Sequence, residues 1–306
     1  AMTEIIQVRL ATTADVPGML RVIRTAFAAR RRVDPPADAL SDSRADVERA
    51  LTEGWGVCAL DGERLVGCLL VAHDGEVATL RRVSVLPTET RRGIAKAMIG
   101  GAVSLAVDAG LKRVEVLCRR EFPELVEWWG AHGFGPLREN ASGIVLGRDL
   151  PVAVTVPTPA AMHALGVELA GLLRAGDVII ATGDLGAGKT TLARGIGEGL
   201  DVEGPVISPT FVLSRIHSAR GDGPDLVHVD AYRMADADEL ADIDLDATLS
   251  RSVTLVEWGE GIAEWLSDER LEIDIDRDVG DEARRVILTG IGPRWDGVLE
   301  TIRRKP

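Results

Sequence analysis

Residues 179–195 read IIATGDLGAGKTTLARG. A run rich in β-branched residues (Ile179, Ile180, Thr182) meets a glycine loop, and a helical pattern opens after it. Gly183-Asp184-Leu185-Gly186-Ala187-Gly188-Lys189-Thr190 fits the spacing G-x-x-x-x-G-K-S/T. Glycines let consecutive backbone N–H groups turn inward around phosphate oxygens, and the helix N-terminus adds its partial positive charge. A lysine placed as Lys189 reaches the β- and γ-phosphates, and the Thr190 hydroxyl can ligate Mg²⁺. Residues 183–190, with Thr191 after them, are therefore expected to bind ATP. A glycine turn with a chance lysine is the weaker reading, because it requires neither the strand before nor the helix after. Such a loop belongs at the C-terminal end of a strand in an α/β sheet.

Working outward, AMHALGVELAGLLRAG reads as a helix ending at Gly176, and DVIIATG as a buried strand. LVHVD and VTLVEW are two more strands, and LEIDIDRD and RRVILTG close the half with period-2 character. Two strands end in acids, at Asp230 and Glu257, each followed by an aromatic, Tyr232 and Trp258. Strand ends flank the loop in such a sheet, so both acids can face a metal directly or through water. Solvated strand ends are the plainer alternative. Ser208-Pro209-Thr210-Phe211 is either a simple turn or a segment that brings Thr210 to the γ-phosphate; spacing leaves both open.

The hydrophobic fraction of 46% and charged fraction of 27% are those of a globular protein, and 306 residues suffice for two domains. No apolar run approaches the roughly 18 residues a membrane helix needs, so no membrane partner is expected. The N-terminal AMTEIIQVRL lacks a basic region and an apolar stretch, which predicts no signal peptide and a cytoplasmic location. Cys58, Cys68 and Cys118 are odd in number and lack C-x-x-C spacing, so they read as reduced core thiols. The net charge of −13 is unevenly placed: residues 1–150 carry 20 Lys and Arg against 20 Asp and Glu, leaving 15 against 28 beyond. An acidic half is a poor binder of nucleic-acid backbone. It suits a protein partner or simply a solvated surface.

The seam lies near GRDLPVAVTVPTPAAM, where Pro151, Pro157 and Pro159 break helix, so domains are expected at 1–150 and 151–306. The first half opens with the strand IIQVRLA and the helix ADVPGMLRVIRTAFAAR, and a second helix lies around Arg44 to Glu53. WGVCALDGERLVGCLLVAH reads as a hairpin turning at Asp61-Gly62. EVATLRRVSVLP, the helix GIAKAMIGGAVSLAVDAG, the strand RVEVLCR and the helix PELVEWWGAHGF follow. This is a mixed α+β domain. In VSVLPTETRRGIAKAMI the amides from Arg91 through Lys96 face outward at a helix start, which suits a pyrophosphate, though an ordinary strand-to-helix turn fits the stretch equally well. Glu76 can serve as a base for an amine or be merely exposed.

GDLGAGKTT, SPTF, HVDAYR and VEWGE, in this order, resemble the TsaE family, small bacterial ATPases of tRNA threonylcarbamoyladenosine (t6A) biosynthesis. The resemblance implies that Lys189 and the loop amides hold the phosphates and that Thr190 and Glu257 ligate Mg²⁺. It implies that Asp230 assists attack by water and that Thr210 belongs to a switch-like segment. It further implies TsaD and TsaB homologues as partners, with tRNA reached indirectly through them. Two departures, Gly259 where the family commonly has proline and Ala231 where a larger apolar residue is usual, leave the acids in place. No guanine-reading NKxD and no ABC-type signature is present. A small-molecule kinase is the alternative use of the loop, and it usually carries an arginine-rich lid that does not follow Asp230.

The first half, over about residues 5–150, resembles the GNAT N-acetyltransferases, with TRRGIA in place of Q/R-x-x-G-x-G/A and WWGAHGF after it. This implies acetyl-CoA held by strand residues Val83 and Val85 and by Arg91, Arg92, Gly93, Ile94, Ala95 and Lys96. Thr90 replaces the family's Gln or Arg, and Trp129 stands where a tyrosine often acts as general acid; Trp128 and Trp129 read as core aromatics. Acetyl transfer to an amine, regulated by nucleotide in the other half, is a further alternative for the whole chain. The expected fold is α/β in two domains, a GNAT-like mixed α+β sheet domain followed by a P-loop α/β ATPase domain.

Overall fold

The hairpin at Asp61-Gly62 turns as its sequence demands, with Gly62 at φ +59°, a conformation that costs a glycine little. It belongs to a computed structural model that describes residues 6–209, 213–232, 234, 237–241, 245–277 and 282–303. The chain forms two units, Ala1–Leu150 and Pro151–Pro306. In the first unit the strands are β1 (Gln7–Leu10), β2 (Trp55–Asp61), β3 (Arg64–Asp74), β4 (Val77–Val85), β5 (Arg113–Cys118), β6 (Gly135–Asn140) and β7 (Gly143–Asp149). The helices are α1 (Val16–Ala28), α2 (Arg44–Glu53), α3 (Ile94–Asp108) and α4 (Pro123–Gly130). Strand order is β1-β2-β3-β4-β5-β7-β6. Neighbours run antiparallel except β4 and β5, which are parallel and joined through α3.

Strand alternation divides the core between the two faces of this sheet. Val57, Ala59, Leu69 and Val71 pack with Ile94, Met98, Ile99 and Ala102 of α3. Cys58, Leu60, Cys68 and Leu70 face Val16, Met19, Val22 and Ile23, the apolar stripe of α1. All three cysteines are buried and free. Trp129 is buried edge-on against Phe134, a core aromatic as expected, while Trp128 is half-buried and stacks on His132.

In the second unit the strands are β8 (Val152–Val156), β9 (Val178–Gly183), β10 (Ser214–His217), β11 (Asp225–Asp230), β12 (Ser252–Glu257), β13 (Arg270–Asp276) and β14 (Arg284–Ile291). Helices α5 (Pro159–Ala170), α6 (Lys189–Gly199), α7 (Ala237–Ala241) and α8 (Asp246–Leu249) accompany them. The order β10-β11-β12-β9-β13-β14-β8 places four parallel strands, β11, β12, β9 and β13, at the centre. The outer pairings are antiparallel. Parallel strands covered on both faces read as continuous apolar runs, as VIIA and VTLV do.

Three features differ from the sequence reading. The seam contains a strand, β8, which pairs with β14, so only Leu150 and Pro151 separate one sheet's last strand from the other's first. Helix α5 stops at Ala170 rather than continuing to Gly176. There the amide of Arg174 donates to Asp177 Oδ2 at 2.8 Å in a turn that Arg294 locks with a buried ion pair at 2.7 Å. The third is β10, a short edge strand. Among the described residues no helix is long and apolar enough to cross a membrane.

Candidate functional site: a glycine loop beside two acidic strand ends

The loop Gly183–Gly188 leaves β9 and enters α6 at Lys189. Gly186 (φ +75°) and Gly188 (φ +117°) hold the left-handed conformations that bend the backbone into a cradle. Gly183 is required for a different reason: a Cβ there would lie 2.7 Å from the Ile275 carbonyl oxygen on β13. Lys189, Thr190 and Thr191 occupy the first turn of α6, where backbone N–H groups have no partner within the helix. Asp184, Leu185 and Gly186 are exposed, whereas Ala187 is buried beneath them.

Lys189 is 6% exposed. Its Nζ donates to the carbonyls of Gly183 (2.6 Å) and Asp184 (3.0 Å) and lies 4.0 Å from the centre of the Trp258 ring. Burial lowers its ammonium below the ordinary lysine value, against the opposing pull of Glu257, Asp230 and Asp184. Trp258 holds this place through a left-handed backbone (φ +62°) and an N–H bond to Ala181 O at 2.9 Å; Tyr232 packs 5.0 Å from its ring.

The two acids come together. β11 and β12 are paired so that Asp230 stands opposite Glu257, and Glu257 in turn stands opposite Ala181 of β9. Parallel strands lie about 4.8 Å apart and residues in register share a face, so both carboxylates flank the start of the loop on one side. Both are buried. The Asp230 carboxylate accepts from Tyr232 N at 3.0 Å. Glu257 Oε1 is 3.1 Å from Nε2 of His228, which is wholly buried two residues before Asp230 on the same face. Thr210 and Phe211 lie outside the described residues; Ser208 is half-buried and Pro209 buried.

Sequence reasoning missed His228, the cation–π contact of Trp258, and two arginines from the opposite side of the loop. Arg277 Nη1 donates to Leu185 O at 3.2 Å, and Arg284 Nε donates to Ala187 O at 3.2 Å. A histidine inside V-H-V-D could have been noticed as the polar interruption of a buried strand, but nothing local announces the other contacts.

The donor set fits Mg²⁺. The Thr190 hydroxyl and the carboxylates of Glu257 and Asp230 are hard oxygen ligands. Among the described residues no group of three or more His, Cys, Asp or Glu side chains could enclose an ion by itself. A cation here would draw its remaining ligands from phosphate and water, the habit of magnesium.

In the first unit, β4 pairs with β5 only over Val77–Leu80. A register shift opposite Cys68 and Leu70, with Arg82 at φ +54°, then turns its second half away. Val83 and Val85 lie on that diverging half, both half-buried, and the Val83 carbonyl already accepts from Arg30 Nη2 at 3.3 Å. Arg91 and Gly93, both at φ +71°, wrap the chain into the N-terminus of α3, where Ile94, Ala95 and Lys96 form the first turn. The Arg92 side chain is engaged by Asp61 (2.6 Å) and Glu89 (2.7 Å). Arg64 also reaches Glu89. These bonds, that of Arg92 foremost, hold the Glu89 carboxyl below its ordinary value. Glu76 lies before the first residue of β4 and is paired with Lys112 at 2.7 Å. A nine-residue strand, roughly 30 Å at 3.3 Å per residue, thus separates it from the α3 loop.

Comparisons with known proteins match two separate stretches of the chain. The family described as threonylcarbamoyl adenosine biosynthesis protein TsaE matches residues 156–286. The acetyltransferase (GNAT) family matches residues 21–134. The tRNA threonylcarbamoyladenosine biosynthesis protein TsaE of Streptomyces coelicolor is 59% identical over 138 residues, which span 44% of this chain and 93% of that protein. Its Bacillus subtilis counterpart is 40% identical over 148 residues, 48% of this chain and 90% of that one. Among solved structures, Bacillus subtilis YdiB is similar at 34% identity and TM-score 0.41, covering 50% of this chain and 93% of YdiB. PaiA N-acetyltransferase of Thermoplasma acidophilum, in complex with coenzyme A, is similar at 15% identity and TM-score 0.44, covering 47% of this chain and 99% of that one.

Proposed function

Because the chain belongs to the TsaE family of threonylcarbamoyl adenosine biosynthesis proteins through its second unit, we propose that this unit is a Mg²⁺-dependent ATPase serving t6A formation in tRNA. The observation that carries the reading is the pairing of Asp230 with Glu257 beside a glycine loop whose lysine lies within the electrostatic reach of both. In this reading the loop amides and the Lys189 ammonium stabilise charge that builds on the β- and γ-phosphates. Thr190 and Glu257 hold the magnesium, which neutralises phosphate charge when bound. Asp230 orients the attacking water and accepts its proton. For Lys189 to reach phosphate, its ammonium exchanges two loop carbonyls for phosphate oxygens. That exchange is favourable because a charge-assisted bond to an anion is stronger than one to a neutral carbonyl.

TsaD and TsaB homologues are the proposed partners, and the acidic charge of residues 151–306 is in keeping with a protein rather than a nucleic-acid surface. The first unit is proposed to bind acetyl-CoA, with the pyrophosphate at the amides of residues 91–96 and the pantetheine along Val83 and Val85. Lys189→Ala, Asp230→Ala and Glu257→Ala should each abolish phosphate release from ATP; wild-type rates in the two acid variants would overturn the roles given them. The decisive test is depletion of the protein followed by nucleoside analysis of bulk tRNA. Loss of t6A is expected, and an unchanged t6A level would refute the assignment.

A further inference from the structure

The phosphate loop is flanked by β12 on one side and β13 on the other. The acids come from β12 and β11, and nothing in the reading above uses β13. Yet β13 runs parallel to β9 with Ile275 opposite Gly183, so it ends beside the point where the loop begins. Asp276 of β13 is paired with Arg285 of β14. Arg277 follows Asp276 just past the end of β13, and Arg284 precedes Arg285 as the first residue of β14, so the two arginines flank this pair on the same side. Both guanidinium groups turn to the loop, Arg277 to the Leu185 carbonyl and Arg284 to the Ala187 carbonyl, each at 3.2 Å. Arg277 Nη2 also lies 3.5 Å from where a Gly186 Cβ would stand, so the guanidinium lies close against the glycine backbone.

The consequence follows from the planarity of the peptide bond. In a trans peptide unit the C=O of one residue and the N–H of the next point in opposite directions. The Leu185 carbonyl shares its plane with the Gly186 N–H, and the Ala187 carbonyl with the Gly188 N–H. Pulling those two carbonyls outward therefore aims the amides of Gly186 and Gly188 into the cradle. Lys189 acts on the other planes of the same loop, gathering the carbonyls of Gly183 and Asp184. Left-handed glycines are free to rotate their peptide planes at little cost, so without an anchor this orientation would have to be ordered at each binding event.

We propose that Arg277 and Arg284 are positioning residues for nucleotide: from outside the loop they fix the peptide planes that present the Gly186 and Gly188 amides to phosphate. The inference rests on the nucleotide-binding reading of the loop and adds a role for the β13–β14 pair. A charge-assisted hydrogen bond of this kind corresponds to about a tenfold change in affinity. The arginines act on the loop rather than on a particular phosphate, so ADP and ATP should be affected alike.

The test is titration calorimetry of the full chain with MgADP and with a non-hydrolysable MgATP analogue. It compares wild type, Arg277→Gln, Arg284→Gln and the corresponding lysine variants, with melting temperatures measured in the absence of nucleotide. Each glutamine variant should bind both nucleotides about tenfold more weakly, and each lysine variant, which keeps the charge and a donor, should recover part of the loss. Arg277 is exposed, so its replacement leaves the fold intact and decides the matter even if Arg284→Gln does not fold. Unchanged MgADP affinity in Arg277→Gln would overturn the proposal. So would a loss confined to the triphosphate, which would make the arginine a γ-phosphate ligand. Failure of the wild-type protein to bind either nucleotide would instead overturn the nucleotide-binding reading itself.

Discussion

His228 governs where the Glu257 carboxylate points. A carboxylate oxygen accepts, so the Nε2–H of His228 donates to it, and Nδ1 is buried with no hydrogen-bond partner among the described residues. Replacing His228 with leucine should lower ATP turnover by about tenfold or more and raise the Mg²⁺ concentration needed for half-maximal phosphate release, with His228→Gln intermediate. The same attention to single groups yields two tests in the first unit. Burial pushes the Cys58 thiol up to about 12 and that of Cys118 up to about 11. Native protein at pH 8 should therefore resist alkylation at these cysteines and react there only after denaturation, as read by mass spectrometry. Arg9 grips Asp15 with two bonds of 2.8 Å and the Thr12 amide adds a third, which lowers the Asp15 carboxyl to about 2. A carboxyl lowered on folding contributes stability above its unfolded value, near 4, and loses it as pH falls through about 2. The stability difference between wild type and Asp15→Asn, from urea denaturation, should be constant above pH 5 and shrink progressively below pH 4.

At the scale of elements, α6 carries Lys189 and is set in place by its contact with α5, and that contact depends on glycine. A Cβ on Gly195 would lie 2.1 Å from the His163 carbonyl oxygen, and one on Gly166 would lie 2.4 Å from that of Leu192. Gly195→Ala should thus force the helices apart, costing about 1–3 kcal/mol in urea denaturation, and weaken nucleotide binding by moving the start of α6. The loop, α6 and the central strands were legible because each is written locally, in apolar runs bounded by glycine or an acid. β10, with the sequence SRIH, has too little apolar pattern to announce a strand, and α5 ends early through a tertiary lock by Arg294 that its own residues do not encode. The site divides in the same way. Asp230 and Glu257 could be read from strand ends, but His228 meets Glu257 across 29 residues, and the two arginines meet the loop across 92 and 97. Contacts of that range leave no periodic trace in a single sequence.

For the molecule as a whole, each unit has its own core: among the described residues, the buried clusters of the second unit use residues from Val152 onward and those of the first use residues up to Leu150. Lys189→Ala should accordingly leave coenzyme A binding untouched, and Gly93→Val should impair it without changing ADP affinity, both measurable by calorimetry. Separate cores joined to unequal charge also make ionic strength a selective probe. The excess of −13 belongs entirely to the second unit, while the first is balanced at 20 against 20. Like charges crowded in one folded body repel, and salt screens that repulsion over about 10 Å at 0.1 M. Raising salt should therefore move the melting of residues 151–306 upward and hardly shift that of residues 1–150. A single chain would thus behave in the calorimeter as two materials, one halotolerant by constitution and one indifferent.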